Sequence, residues 1–236
     1  MTRIGVVVFP GTNCEQDVAW AVEELGGRVK TVFHRAAELP DVEAVIVPGG
    51  FAHGDYLRTG AMARFSPIMR AVADFAGAGG PVVGICNGFQ ILCEAGLLPG
   101  ALQKNAGLRF LCRPVSVRVE STSTPLTRRA AAGQVLTIPI NHFEGNYVAD
   151  AATISRLEDE GRVVLRYCRT DGTVDEADTE ANPNGSTHAI AGVCNEAGNV
   201  VGLMPHPERA SSELIGSSDG RLLMEGLMTL THARGA

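Results

Sequence analysis

Pro81-Val82-Val83-Gly84-Ile85-Cys86-Asn87-Gly88-Phe89-Gln90-Ile91-Leu92 runs an apolar, β-branched stretch straight into a helical pattern, with one cysteine at the joint. The first part reads as a buried strand; Phe89 to Ala95 reads as a helix stopped by Gly96. Gly84-x-Cys86-x-Gly88 is the cysteine form of a nucleophile elbow. A sharp strand-to-helix turn holds the apical residue in strained backbone and lifts its side chain off the sheet. Glycines two positions before and after leave room where Cβ atoms would collide. The helix N-terminus beside the sulfur favours thiolate over thiol, and the Asn87 N–H faces the place where an oxyanion would form.

The same alternation extends toward the N-terminus. Ile4 to Phe9, Val29 to Phe33 and Ala44 to Val47 read as strands. Thr12 and Glu15 have capping-box spacing ahead of a helix whose face is Cys14, Val18, Val22 and Leu25, stopped by Gly26-Gly27. A second helix is expected over Met62 to Phe75. Strand and helix in alternation with short links predict an α/β fold: an open, mainly parallel sheet with helices on both faces. Beyond the elbow the pattern changes. Leu108–Glu120, Gln134–Ile140, Arg162–Cys168, Ala189–Cys194 and Asn199–Met204 read as longer, partly exposed strands, an antiparallel extension that returns to the main sheet near Met204. A closing helix is expected over Arg221 to Thr231.

Two further stretches belong with the elbow. Pro48-Gly49-Gly50-Phe51 ends the third strand, where open α/β sheets bind ligands. Its glycine pair can offer a backbone N–H to the same oxyanion as Asn87; no Gly-Lys-Ser/Thr follows, so it is not a P-loop. Met204-Pro205-His206-Pro207-Glu208-Arg209 ends the last strand. In extended backbone, residues two apart point the same way. His206 and Glu208 can therefore share a side, with Glu208 orienting the imidazole and two prolines holding the local φ angles. His34, His188 and His232 read as surface residues.

Composition narrows the classes. The chain has 236 residues, 45% of them hydrophobic and 19% charged, and a formal net charge of −6. That is the balance of a soluble globular protein, and an acidic chain argues against nucleic acid as a main partner. No apolar run approaches membrane-spanning length, and nothing resembles a signal peptide. Of the six cysteines, Cys93, Cys112 and Cys194 read as small buried hydrophobes, and reduced thiols in a cytoplasm are expected. No Cys-x-x-Cys and no histidine pair at ligand spacing occurs, so no metal is expected. Asp171 to Glu180 carries five carboxylates and reads as a solvated loop.

Cysteine elbow, glycine pair and His-Pro-Glu, in that order, resemble the class I (triad) glutamine amidotransferases. The resemblance is closer to one branch, the small glutaminase subunits of phosphoribosylformylglycinamidine synthase. It rests on Gly11-Thr12-Asn13-Cys14, on Pro48-Gly49-Gly50-Phe51 followed by Gly54-Asp55-Tyr56-Leu57-Arg58, on Leu108-Arg109-Phe110 and on Asn182-Pro183-Asn184-Gly185-Ser186. Bulky Phe143 in His142-Phe143-Glu144-Gly145, and Ala189 ahead of Ile190-Ala191-Gly192, depart from the pattern of that branch.

The resemblance implies a single amidotransferase domain over residues 1–236, with Cys86 as nucleophile, His206 as acid/base and Glu208 as its orienter. It implies Gly50 and Asn87 as oxyanion donors, and Gln90 and Gly49 as substrate-binding residues. It implies L-glutamine as substrate, and as partners a large synthetase subunit and a small accessory subunit of phosphoribosylformylglycinamidine synthase. No cofactor is expected on this chain, since nothing in it is built to bind ATP; ATP and Mg²⁺ are expected on the synthetase. Two other readings compete: a stand-alone cysteine-elbow hydrolase acting on γ-glutamyl compounds or peptides, and a non-catalytic regulatory module on the same fold.

Overall fold

Two kinds of apolar run build the sheet. Ile4 to Val7, Ala44–Val47 and Val82–Ile85 carry no polar side chain and are buried throughout, as strands inside a parallel sheet require. Leu111–Val119 and Val135–His142 instead alternate buried with more exposed positions, the pattern of antiparallel strands with one wet face. The structure, a computed structural model, describes residues 1–229. In chain order its elements are β1 (Arg3–Val8), α1 (Glu15–Glu24), β2 (Arg28–Phe33), β3 (Ala44–Val47), α2 (Pro67–Gly77), β4 (Val82–Ile85), α3 (Asn87–Glu94), β5 (Ala101–Gln103), β6 (Leu111–Val119), β7 (Val135–His142), β8 (Asn146–Val148), α4 (Ala151–Asp159), β9 (Val163–Cys168), β10 (Ile190–Cys194), β11 (Val200–Leu203) and α5 (Asp219–Met228).

One sheet runs β2-β1-β3-β4-β11-β10-β9-β6-β7. From β2 to β11 neighbouring strands are parallel; from β10 to β7 they are antiparallel. The α/β architecture and the antiparallel extension expected from the sequence are both present. The consequence for function lies in the centre. β3, β4 and β11 are adjacent and parallel, so their carboxyl ends meet at one edge of the sheet. Gly49-Gly50, Cys86 and His206 each follow one of those ends.

Several local expectations need correction. The helix expected over 62–75 starts only at Pro67; residues 63–65 form a separate 3₁₀ turn. Ser66 is extended at ψ 140°, as a residue before proline prefers, and proline at the first helical position starts the new helix. The Thr12–Glu15 capping box does not form: Cys14 is the N-cap of α1, and Thr12 Oγ1 accepts the Phe9 N–H at 3.0 Å instead. β5 and β8, which pair as a separate ribbon, and α4 were not legible. α4 is capped by Asp150, whose side chain accepts the Thr153 N–H at 2.7 Å. The closing helix reaches Met228; the last positions of its expected span, and His232, lie outside the described residues.

His34 is buried rather than on the surface. Its Nδ1 meets Ser66 Oγ at 3.1 Å, and its ring packs at 5.2 Å against that of His53. Cys112 is exposed, because it occupies an outward position of the alternating strand β6. The acidic loop is exposed as expected but not simply solvated. Arg169 pairs with Asp175 and Asp178, and Arg113 with Glu180.

Candidate active site

Cys86 is the turn itself. It caps α3 with φ 52° and ψ −107°, a region a side chain occupies only when the surroundings hold it there. What holds it is close approach: a Cβ on Gly88 would lie 1.8 Å from the Val47 carbonyl oxygen. Helix α3 is thereby pressed onto β3. Its first N–H groups, Asn87 among them, have no helical partner. On the neighbouring strand end, the Thr12–Gly50 pair is bridged by Phe51 N–H to Gly11 O (2.9 Å) and Asn13 N–H to Gly49 O (3.3 Å). Those two bonds flank Gly50 and leave its own N–H outside the ladder.

His206 and Glu208 arrive from β11. Their side chains are 1% and 0% exposed, and His206 Nδ1 lies 2.6 Å from Glu208 Oε1. The expected extended backbone is not how they meet. Pro207 to Ala210 form a 3₁₀ turn, and the His206 N–H donates to Pro139 O at 2.9 Å. Proline pre-sets φ for the first turn of a helix, so Pro207 bends the chain back and brings Glu208 to the imidazole. Burial opposes a charged His206. Glu208 beside Nδ1 and Cys86 on the other side outweigh it and hold its pKa well above the ordinary histidine range. Nε2, the nitrogen that Glu208 does not engage, has no hydrogen-bond partner.

The third wall is made by Gly49 and a second cysteine. A Cβ on Gly49 would stand 2.8 Å from His206 Cε1, 2.9 Å from Cys14 Sγ and 3.5 Å from Cys86 Cβ. The bare backbone of Gly49 is therefore what lets these side chains converge. Cys14 came from a motif with no assigned role. Its sulfur receives Arg209 Nη2 at 3.3 Å, and Arg209 Nε binds Asp17 at 2.9 Å. Cys14, His206 and Glu208 bring three possible metal-ligand atoms within 4.8 Å of one another, a cluster invisible in linear spacing. Glu208 already engages His206, and the Arg209 guanidinium at the sulfur disfavours a second cation there.

A cavity of about 200 Å³ opens over Cys86, lined also by Gly50, Asp55, Gln90, His142 and Glu144 among others. Gln90 sits on its floor with much of its bonding capacity used internally: Nε2 donates to Glu144 O at 2.5 Å, and Oε1 accepts from Asn87 Nδ2 at 2.8 Å. Asn87 Oδ1 in turn accepts the Ala52 N–H at 2.9 Å, tying the elbow to the loop after Gly50.

The far wall, 141–145, depends on residues that sequence reading left without chemistry. Asn105, 1% exposed, donates to His142 O and Arg109 O and accepts from Gly145 N. The Asn182-to-Ser186 motif is a brace. Asn184 Nδ2 donates to Gly145 O at 2.8 Å and to Tyr167 Oη at 3.1 Å, and Ser186 Oγ accepts the Tyr147 N–H at 3.1 Å. Buried asparagines in loops were the one available signal, because a buried amide needs partners for every polar atom.

Known proteins resemble this chain. A family model for the CobB/CobQ-like glutamine amidotransferase domain matches residues 1–221. The chain is 56% identical over 227 residues to the phosphoribosylformylglycinamidine synthase subunit PurQ of Salinibacter ruber, covering 96% of this chain and 95% of that one. It is 56% identical over 226 residues to the subunit of the same name from Rubrobacter xylanophilus, covering 96% and 97%. Among solved structures, PurLQS from Thermotoga maritima superposes with a TM-score of 0.84 at 43% identity, over 97% of this chain and 98% of that one. A glutamine amidotransferase from the same organism, at 15% identity and TM-score 0.54 over 96% and 90%, shares the fold alone. With the elbow, the glycine pair and the His-Pro-Glu turn meeting at one sheet edge, the chain belongs to the CobB/CobQ-like glutamine amidotransferases, in the branch of the PurQ subunits.

Proposed function

We propose that this chain is the glutaminase subunit of a phosphoribosylformylglycinamidine synthase. It hydrolyses L-glutamine to glutamate and ammonia and hands the ammonia to a synthetase chain. One observation carries the reading: Cys86, in strained backbone, lines a small cavity, and only the bare backbone of Gly49 lies between it and a buried His206–Glu208 pair, in a chain more than half identical to proteins of that name.

The chemistry follows from the placement. Cys86 Sγ attacks the side-chain amide carbon of glutamine, forming a C–S bond. The tetrahedral oxyanion is held by the N–H groups of Gly50 and Asn87; removing one such donor costs about 2.7–4 kcal/mol of barrier. The free Nε2 of His206 carries the proton to the amide nitrogen as the C–N bond breaks and ammonia leaves. It then takes a proton from water, which cleaves the γ-glutamyl thioester and restores the thiol. Glu208 keeps the imidazole in place and favours its charged form. Gln90 and Gly49 serve the substrate in different ways: Gln90, in the cavity lining, joins the elbow to the 141–145 wall, and Gly49 keeps the space between the two cysteines and the imidazole.

Ammonia in bulk water would be protonated and lost, so a channel into a partner is required. Phe51, Tyr56 and Leu57 are 45%, 73% and 78% exposed on the loop that lines the cavity. Apolar exposure of that kind marks a protein interface, and it fits docking by the synthetase and a small accessory subunit. ATP and Mg²⁺ then belong to the synthetase, which converts formylglycinamide ribonucleotide to the amidine in purine synthesis. All six cysteines are free thiols, in keeping with a reducing cytoplasm, and no helix among the described residues is long and apolar enough to cross a membrane.

The test is glutamate release, measured on the chain alone and then with synthetase, accessory subunit, ATP and acceptor nucleotide. The expected result is slow hydrolysis alone, strong stimulation in the complex, and labelling of Cys86 alone by a glutamine-like electrophile. A rate unchanged by the partners, with faster release from γ-glutamyl peptides than from glutamine, would favour a stand-alone hydrolase.

A further inference from the structure

The reaction just described gives no task to two acids in its own cavity. Asp55 and Glu144 both line it, together with Cys86 and Gln90. Asp55 comes from the loop after Gly50, and Glu144 from the opposite wall. Asp55 is partly buried, and its one hydrogen-bond partner is the Asn87 amide, whose Nδ2 donates to Oδ1 at 3.2 Å. No cation faces it among the described residues. Burial, with the like charge of Glu144 added, pushes its pKa up to about 6, opposed only by the Asn87 bond.

Three half-buried carboxylates elsewhere in this chain are treated differently. Glu43 meets Arg3, Glu94 meets Arg58, and Glu120 meets Arg118 and Arg166. A like-charged pair facing a cavity without a counter-ion is unfavourable until something positive arrives. A third titratable group beside them brings no positive charge. His142, 3% exposed, lines the cavity, and its Nε2 has no hydrogen-bond partner. The Asn105 amide donates through Nδ2 to two carbonyls, so its Oδ1 is the acceptor for His142 Nδ1–H at 3.1 Å. His142 Nε2 is therefore left as an acceptor. Burial, reinforced by nearby His206, holds this imidazole neutral, with a pKa of about 3. The cavity thus offers two carboxylates, and what it lacks is a positively charged N–H donor.

We propose that Asp55, with Glu144 facing it, receives the α-ammonium group of the amino-acid substrate. These two residues thereby select glutamine over amides that lack an α-amino group. The inference rests on the glutaminase reading and deepens it. The same two charges repel the α-carboxylate, so they also fix which way round the amino acid enters. The charge need not be near the reacting carbon to matter, since remote binding energy positions the amide against Cys86.

A rival role for Asp55 is merely to orient Asn87 through their hydrogen bond. Asp55→Asn separates the two, because the amide oxygen still accepts from Asn87 while the charge is gone. The substrates are L-glutamine and glutaramate, the same amide without the α-amino group, hydrolysed by the full chain with its synthetase partner present. In Asp55→Asn, kcat/KM for glutamine should fall by about ten- to a hundredfold, the range expected for a lost charged hydrogen bond, chiefly through KM. The value for glutaramate should hardly move. Glu144→Gln should shift the same ratio by less. An equal loss on both substrates would assign Asp55 to Asn87 instead, and an unchanged value for glutamine would place the ammonium elsewhere. Calorimetric binding of both compounds to the Cys86→Ser variant reads the ratio without turnover. Equal affinity for the two would overturn the ammonium receptor alone, while no binding of either would overturn the substrate reading with it.

Discussion

Two charged pairs sit around one cysteine, and they are built on opposite plans. His206 and Glu208 are sealed from water, opposite in charge and 2.6 Å apart. Asp55 and Glu144 are partly open, alike in charge and without a counter-ion among the described residues. The difference teaches what each is for. Groups that move protons must be preorganised, so their charges are balanced inside the protein. Groups that await a ligand are left unbalanced, and the ligand completes them.

The largest effects should fall on the sealed side. Cys86→Ala should lose about 10⁴-fold or more in glutamate release while melting like the parent, since loss of a nucleophile removes nearly all covalent catalysis. His206→Ala should be almost as inert, and Glu208→Gln should keep more activity, because it orients the imidazole without carrying the transferred proton. A Glu208→Gln enzyme slower than His206→Ala would reverse those roles. Gly49→Ala comes next. Its methyl would press on His206 Cε1 and Cys14 Sγ, and a misplacement near 1 Å costs about a hundredfold in rate. This loss should appear in kcat, unlike the KM effect expected at Asp55.

Smaller effects sharpen the open side. Asp55 has a raised pKa, so it is charged above about pH 6 and neutral below. Of its neighbours, Glu144 is the second carboxylate, His142 is held neutral by burial, and Asn87 and Gln90 do not titrate. Substrate capture measured as kcat/KM should therefore decline as the pH falls through about 6, and Asp55→Asn should flatten that limb. The same charge works against folding. An acid whose pKa is raised in the folded state binds protons more readily there, so its ionisation lowers stability as the pH rises. Asp55→Asn should then melt no lower than the parent at neutral pH. The smallest effect on chemistry is expected at Asn184→Ala. It should cost about 1–3 kcal/mol of stability in a denaturant melt, because Gly145 O and Tyr167 Oη lose a buried donor, and it should reach activity only through the position of the 141–145 wall.

Much of the fold was legible because its central strands announce themselves. A central parallel strand under helices must be apolar at every position; Ala44–Val47 has the bounds its composition predicts, and Val82–Ile85 begins one residue after the expected start at Pro81. The elbow was legible for a related reason: strained backbone at Cys86 tolerates few neighbours, so Gly84 and Gly88 mark it locally. Where local cues competed, reading failed. Pro67 ended one expected helix and began another, Thr12 gave its hydroxyl to Phe9 rather than to a helix end, and the three-residue strands β5 and β8 are too short to carry a period.

By itself, the sequence determined the chemistry that is local in the chain: an elbow cysteine, a glycine pair at a strand end, and a histidine two residues from a glutamate. Each is set by backbone sterics or by neighbours within a turn, so its signal lies in a few consecutive residues. Only the tertiary structure decided what depends on packing across the sheet. It placed Cys14 against His206 through the missing side chain of Gly49, turned Asn184 into a brace for a wall some forty residues upstream, and set Asp55 opposite Glu144. Charge balance and cavity shape arise between segments far apart in sequence, where no spacing rule reaches.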